Sequence, residues 1–266
     1  SLALDFYERA LNADPNSPDI YQSLAMTAWK LDMLPVAEKF LRIFLRMQPG
    51  SQAEVFDGAG RVAEGSVVSV SKSDVLVRPG TVRQFAPLTP RIHLCAAIIK
   101  GERMDWLLEK AVELGAHSVR PLQTANGVVR LKPDQIPKKM KKWQSLLIAA
   151  AKQCHIPFLP ELHEPTSLEK ALPLLPQNAL RLVAALTENR QTVDQPAGSP
   201  EVQDIVIAIG PEGDFTHDEL AFALAHDFQP VTLGPLILRA ETAAVVALAR
   251  LTSHRTTLVA ASPSAP

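Results

Sequence analysis

The chain has 266 residues, 47% of them hydrophobic and 21% charged, and a formal net charge of −1 at pH 7. That length favours two domains over one, the composition is that of a globular protein with ample core material, and the balanced charge excludes a polyanion partner recognised by the chain as a whole, leaving only a local basic patch for that role. Two cysteines, Cys95 and Cys154, exclude a disulfide framework and a cysteine-only zinc site, and the seven histidines show no metal-ligand spacing. No apolar run approaches the ~18 residues of a membrane helix and no signal peptide is visible, so the expectation is a cytoplasmic protein with no membrane partner and no metal.

In the first fifty residues Ala3, Tyr7, Ala10 and Pro15 recur in role as Ala37, Leu41, Phe44 and Pro49, each 34 residues on, with Tyr21, Leu24 and Ala28 between them. This order of small, bulky, small and proline positions resembles the tetratricopeptide repeat. One repeat and a third of another cannot bury its own face, because such units stack on neighbours. Residues 1–36 are therefore expected as a helical hairpin packed on the rest of the chain, or as the remnant of a longer peptide-binding array.

From Ser51 the texture changes. "AEVFDGAGRVAEGSVVSVSKSDVLVRPG" alternates apolar and polar residues, with turn signals at Asp57-Gly58 and Gly60, which predicts a small β-domain over 37–90 closed by the linker "FAPLTP". Strands and helices then alternate over 91–258. "RIHLCAAII", "SVRPL", "LRLVAAL", "DIVIAI" and "PVTLG" read as strands. "RMDWLLEKAVELG", "KKMKKWQSLLIAAAKQC", "THDELAFALAHDF" and "ETAAVVALARLT" read as helices. The alternation predicts an α/β fold with a mostly parallel sheet. Glu188 to Asp204 reads as a long polar loop, and residues 259–266 as a disordered tail.

Two stretches interrupt buried strands in the same manner: "IVIAIGPEGDFTHDEL" and "VTLGPLILRAETAAVVAL". In a parallel sheet ligands bind outside the carboxyl ends of strands, and both stretches lie at such ends. Gly210 and Gly213 are expected to let backbone approach a ligand, Pro211 to stiffen the turn, and Thr216 with Glu219 to form a capping box. Ala243 and Ala244 suit a helix packed closely on a neighbour. Two such adjacent loops would hold a flat polar molecule largely by backbone groups.

Together, "IGPEGDFTHDEL" and "LGPLILRAETAAVVAL" resemble the paired motifs of the 16S ribosomal RNA (uridine-N3) methyltransferase E family, in the SPOUT superfamily. "KGERMDWLLEKAVELGAHSVRPLQT" is similar to that family's first-helix signature, "WQSLLIAAAKQC" to its next helix, and "FLRIFLRMQPGSQAEVFDGAG" to part of its PUA-like barrel. The resemblance runs from about Phe40 to Thr252 in family order. It implies a SPOUT domain with a C-terminal trefoil knot over 91–258, behind a PUA-like barrel over 37–90 whose first strand is not recognisable here. It also implies a homodimer, S-adenosylmethionine as methyl donor, and methylation of ring nitrogen 3 of a uridine in ribosomal RNA, free or in the 30S subunit.

Carried over residue by residue, the resemblance implies that the cofactor is cradled by Leu186, Gly210, Glu212, Gly213, Leu233, Gly234, Leu238, Arg239, Thr242 and Ala243, with Leu233 and Leu238 on either side of the adenine. The uridine nitrogen must shed a ring proton, and a cation beside the developing anion lowers that cost. Arg239 is the first candidate for this cation, with Glu212 or Glu241 orienting it or taking the proton; the competing reading of Arg239 is a surface arginine paired with Glu241. For RNA, Arg130, Lys132, Lys138, Lys139, Lys141 and Lys142 place six cations in thirteen residues around Trp143, and Lys100 and Arg103 begin the preceding helix. Cations at a helix start oppose the macrodipole, which favours a functional reason over a merely solvated face.

The chain departs from the family pattern at four places. Asp214 stands where a third glycine is usual, Leu236 where a cation is usual and Asn126 where an arginine is usual, and "QCHIPFLPEL" lacks a cation after the glutamine. A different SPOUT RNA methyltransferase, and a non-catalytic RNA- or protein-binding homologue, therefore stand as alternatives. Binding of S-adenosylmethionine separates the last of these from the enzymes.

Overall fold

The strand "DIVIAI", Asp204–Ile209, is buried along all six residues, as an apolar run covered on both faces must be. In the computed structural model, which describes residues 48–71, 74–187, 191–194, 201–253 and 255, this strand is β9, at the centre of a seven-stranded sheet. Its partners are β4 (Arg91–Ala97) and β7 (Leu180–Ala184). Outside them lie β5 (Ser118–Leu122) and β6 (Glu161–Leu162) on one flank, and β10 (Phe228–Thr232) and β8 (Gln191–Thr192) on the other, giving the order β6-β5-β4-β9-β7-β10-β8. Every pairing is parallel.

Period-two alternation divides the strand side chains between two cores. On one face Ile92, Leu94, Ile205, Ile207 and Leu182 pack against α1 (Glu102–Glu113), α2 (Ile136–Cys154) and α5 (Ala240–Thr252). On the other, Cys95, Val206, Ala208 and Val183 meet the short α3 (Leu168–Ala171) and α4 (His217–Ala225). α1 buries Met104, Leu107, Leu108, Ala111 and Val112, a stripe spaced i, i+3, i+4, i+7, i+8. α5 buries Ala240, Ala244 and Ala247, so small side chains bring it close to its neighbours.

At the amino ends of the strands Asp204 receives Nε and Nη2 of Arg91 at 2.7 and 2.6 Å and meets His93 Nε2 at 2.9 Å. Burial alone raises its carboxyl pKa; the bonds from Arg91 and His93 more than offset this and hold it below the ordinary carboxylate value. Arg255 donates to the carbonyls of Pro90 and Gly115, and burial pushes its guanidinium down to about 10. This end of the sheet is thus committed to structure.

β1 (Gln52–Phe56), β2 (Arg61–Val70) and β3 (Val75–Gln84) form a separate three-stranded sheet in the order β1-β2-β3. The described residues divide into two compact units: one holds residues 48–55 and 63–81, and the other holds 56–62 and everything from Val82 onward. The tetratricopeptide-like segment 1–36, the start of the β-domain over 37–47 and the tail 259–266 lie outside the described residues.

The sequence reading of 188–204 as loop throughout needs correction. Gln191–Thr192 joins the sheet edge beside Val231 and Thr232. Val193 is fully buried, and the carboxylate of Asp194 pairs with Arg250 of α5. Two residues of strand carry no periodicity to read, so tertiary contacts alone define this edge.

Candidate active site

β9 ends at Ile209 and turns through Gly210-Pro211-Glu212-Gly213-Asp214 into α4. The capping box forms as the sequence predicts: Thr216 Oγ1 accepts from Glu219 N at 3.2 Å and Glu219 Oε2 accepts from Thr216 N at 2.9 Å. Gly210 serves the loop's own packing, and Gly213 its approach to Asn126 of the loop after β5. A Cβ on Gly210 would sit 3.1 Å from both Asp214 Oδ1 and Phe215 N, and one on Gly213 would sit 3.3 Å from Asn126 Cβ. Asp214, at the position where a third glycine is usual, has φ +57, the left-handed region that aspartate tolerates better than most residues. Its carboxylate accepts from Phe215 N at 2.8 Å and from Leu186 N at 3.4 Å, which ties the loop to the end of β7.

The second loop leaves β10 at Thr232 and enters α5 after Arg239. The Thr232 hydroxyl donates to Gly234 O at 2.9 Å and accepts from Gly234 N at 3.3 Å, which stabilises the turn in which Gly234 has φ +146. Arg250 Nη1 donates to Leu233 O at 3.3 Å. Sequence patterning gave no sign of this role for Arg250, because its partners lie on another strand end and in a polar loop.

Because β9, β7 and β10 are neighbours, their carboxyl ends bring the two loops together around one open cleft. Leu186, Gly210, Glu212, Leu233, Gly234, Leu238 and Ala243, all expected from the sequence, line it. Gly213, Arg239 and Thr242 lie outside this lining. The sequence reading missed Ala184, Ala185, Ile209, Val231 and Thr232, which are strand-end residues that only the strand order brings together. Leu236 and Ile237 stand exposed on the rim, so the missing family cation leaves an apolar edge.

The charged residues pair differently from either reading of Arg239. Arg103, at the start of α1, reaches Glu212 Oε1 with Nη2 at 2.6 Å and Glu241 Oε2 with Nη1 at 3.7 Å. Glu241 is 7% exposed and is absent from the cleft lining; it faces α1 from the first turn of α5. Glu212 and Glu241 thus hold Arg103. Arg239 is exposed at the N-cap of α5 and carries no ion pair among the described residues.

The basic run divides likewise. Arg130 Nη2 donates to Ala125 O at 2.7 Å, Lys142 pairs with Asp105 at 2.5 Å, and Lys139 lies 5.9 Å from the centre of the Trp143 ring. Lys100, Lys132, Lys138 and Lys141 are exposed. Among the described residues no cluster of three His, Cys, Asp or Glu side chains could hold a metal ion, and no helix is long and apolar enough to cross a membrane.

Residues 86–252 match the RNA methyltransferase domain family. The chain is 30% identical over 223 residues to ribosomal RNA small subunit methyltransferase E of Bacillus subtilis strain 168, covering 81% of this chain and 86% of that protein. A Legionella pneumophila structure described as a methyltransferase with bound cofactor SAM is 34% identical, with a TM-score of 0.73 over 82% of this chain and 89% of that one. The ribosomal RNA small subunit methyltransferase E of Neisseria gonorrhoeae, bound to S-adenosyl methionine, is 27% identical, with a TM-score of 0.71 over 81% and 89% of the two chains. With the paired loops, the cleft between them and this extent of likeness, the chain belongs to the ribosomal RNA small subunit methyltransferase E family, and residues 86–252 are its RNA methyltransferase domain.

Proposed function

We propose that this protein is an S-adenosylmethionine-dependent methyltransferase acting on ring nitrogen 3 of a uridine in small-subunit (16S) ribosomal RNA. The observation that carries the reading is the cleft: both glycine-bearing loops, from β9 and β10, meet there across β7. Its walls suit the cofactor. Leu186, Leu233 and Leu238 offer apolar surface, and a Cβ built on Gly234 meets nothing within 4 Å, so backbone is open to a ligand there. Two relatives of this fold carry the same cofactor. When bound, S-adenosylmethionine supplies an electrophilic methyl group on a sulfonium. The residues of this chain then have two tasks: the cleft loops hold the donor, and Arg239 stabilises the uridine anion formed as the N3 proton passes to solvent. Arg103 braces Glu212 against α1 and α5.

The same reading extends to a trefoil knot formed by the cleft loops, a PUA-like barrel over 37–90 and a homodimer in the cytoplasm. Of these, the knot is supported by the strand order, in which β9 is inserted between β4 and the earlier β7. The test is incubation with labelled S-adenosylmethionine and either small-subunit RNA or 30S particles, followed by nucleoside mass analysis. The expected product is 3-methyluridine; cofactor binding with no methylated nucleoside on either substrate would overturn the reading.

RNA docking falls to the exposed cations Lys100, Lys132, Lys138 and Lys141, helped by Arg130, Lys139 and Lys142. Lys138→Glu with Lys141→Glu reverses two exposed charges and leaves the Lys142–Asp105 pair and the Lys139–Trp143 contact in place. The double variant should bind RNA more weakly, with the slope of log affinity against log salt reduced by about 0.7–0.9 for each lost phosphate contact. Its melting temperature should not change, because glutamate is a good helix former and suits a helix start. RNA titrations at two salt concentrations check this; equal affinity and equal slope would remove the segment from the docking surface.

A further inference from the structure

The loop between β5 and α2 makes contacts that the proposed function does not use. Ala125 N donates to Glu219 Oε1 at 2.7 Å, Gly127 N to Thr124 O at 3.1 Å and Leu131 N to Gln123 Oε1 at 3.1 Å. Arg130 closes it onto Ala125 O. The loop is therefore tied to α4 and to itself. From it Asn126 reaches the turn that follows β9: its Nδ2 donates to Gly213 O at 3.0 Å and to Asp214 O at 3.1 Å. Both partners are carbonyls, which only accept, so the amide nitrogen must face them and both of its hydrogens are used. The same turn contributes Gly210, Pro211, Glu212 and Asp214 to the cleft.

We infer that Asn126 is a positioning residue for the methyl-donor site: it fixes the Gly213 and Asp214 carbonyls and so holds the turn in the shape that forms one wall of the cleft. The inference rests on the cleft being the S-adenosylmethionine site. It concerns a position where the family usually carries arginine, and it assigns the neutral amide here to the cofactor side of the site and not to RNA. A clamp of this kind acts by preorganisation, because a turn already held in its binding shape loses less freedom when the ligand arrives. Asn126 is exposed and its partners are backbone atoms of a surface turn, so the fold does not depend on it.

Asn126→Asp tests this most directly. It keeps the size of the side chain but turns an acceptor toward two carbonyls, whereas Asn126→Ala simply removes the clamp. Calorimetry should show S-adenosylmethionine affinity about 3- to 10-fold weaker for the alanine variant and more than about tenfold weaker for the aspartate variant, from the loss and then the reversal of two hydrogen bonds. In turnover the KM for S-adenosylmethionine should rise in that order while kcat at saturating cofactor stays near wild type. RNA affinity and its salt slope should be unchanged. If the wild type binds the cofactor and Asn126→Asp binds it equally well, the inference falls alone. If RNA affinity drops while cofactor affinity is kept, Asn126 is an RNA contact and the inference again falls. No cofactor binding by the wild type would overturn both this inference and the proposed function.

Discussion

Arg239→Ala should lower kcat by about 10²–10³-fold, the usual cost of removing one preorganised charge-stabilising group, while S-adenosylmethionine affinity stays within about twofold of wild type. Three observations support so uneven a split. The residue caps α5 through its backbone, and Ala243 N donates to its carbonyl at 2.8 Å, so the position survives truncation of the side chain. The side chain is not part of the cleft lining, so the donor loses no wall. Glu241, the carboxylate nearest in sequence, pairs with Arg103, which leaves the Arg239 guanidinium available for an incoming anion. A group that acts on charge present mainly in the transition state changes kcat without changing ground-state binding. It also changes the pH profile: without the cation the N3 proton is harder to remove, so the rising limb of rate against pH should move to higher pH. Single-turnover methylation across pH, with calorimetry in parallel, measures both effects. An unaltered rate would make Arg239 a helix cap and nothing more.

Gly234→Val should weaken S-adenosylmethionine binding by at least about 100-fold in a protein that still folds. At φ +146 the residue lies where L side chains are rarely found, and such strain costs about 1–3 kcal/mol. Added to it is steric loss: Gly234 lines the cleft, and its Cβ would point into space with no protein atom within 4 Å. That open space lets the folded state accept the substitution, and it is also the space the donor needs. Gly210→Val would be a poorer test. Its Cβ would crowd Asp214 and Phe215 within 3.2 Å, so lost binding would be confounded with a disturbed fold. Circular dichroism with calorimetry on Gly234→Val separates folding from binding; a folded variant with normal affinity would place the donor elsewhere.

The sequence revealed the elements better than their arrangement. "SVRPL" and "DIVIAI" match β5 and β9 to the residue, and the Thr216–Glu219 box marks the start of α4, because strand-length runs bounded by turn or polar residues, and helix caps, are local properties. The insertion of β9 between β4 and β7 is set by hydrogen bonds across more than a hundred residues of chain, as in the register of Arg91 with Asp204, and no window of sequence contains it. The two glycine motifs were legible as paired loops at strand ends for the same local reason, yet the work of their glycines was not: Gly210 is needed by Phe215 and Asp214 of its own loop. Asp214 in place of glycine became intelligible only with its φ of +57. The charges were the least legible part. Arg103 and Lys142 are basic residues in or near the lysine-rich run, but their partners Glu212 and Asp105 belong to other elements, and Arg130 turns back onto the Ala125 carbonyl of its own loop.

Glu219 occupies two structures at once. One carboxylate oxygen completes the cap of α4 on Thr216 N, and the other holds Ala125 N in the loop that carries Asn126. The first turn of the helix and the loop that carries Asn126 are therefore coupled: fraying of α4 breaks one of the loop's hydrogen bonds, and release of the loop leaves Glu219 Oε1 to solvent. Amide protons on the two segments, ninety-four positions apart, should then exchange with solvent as one cooperative unit. Any ligand that orders the cleft slows the breathing of a helix whose buried side packs on the opposite face of the sheet from α1, α2 and α5.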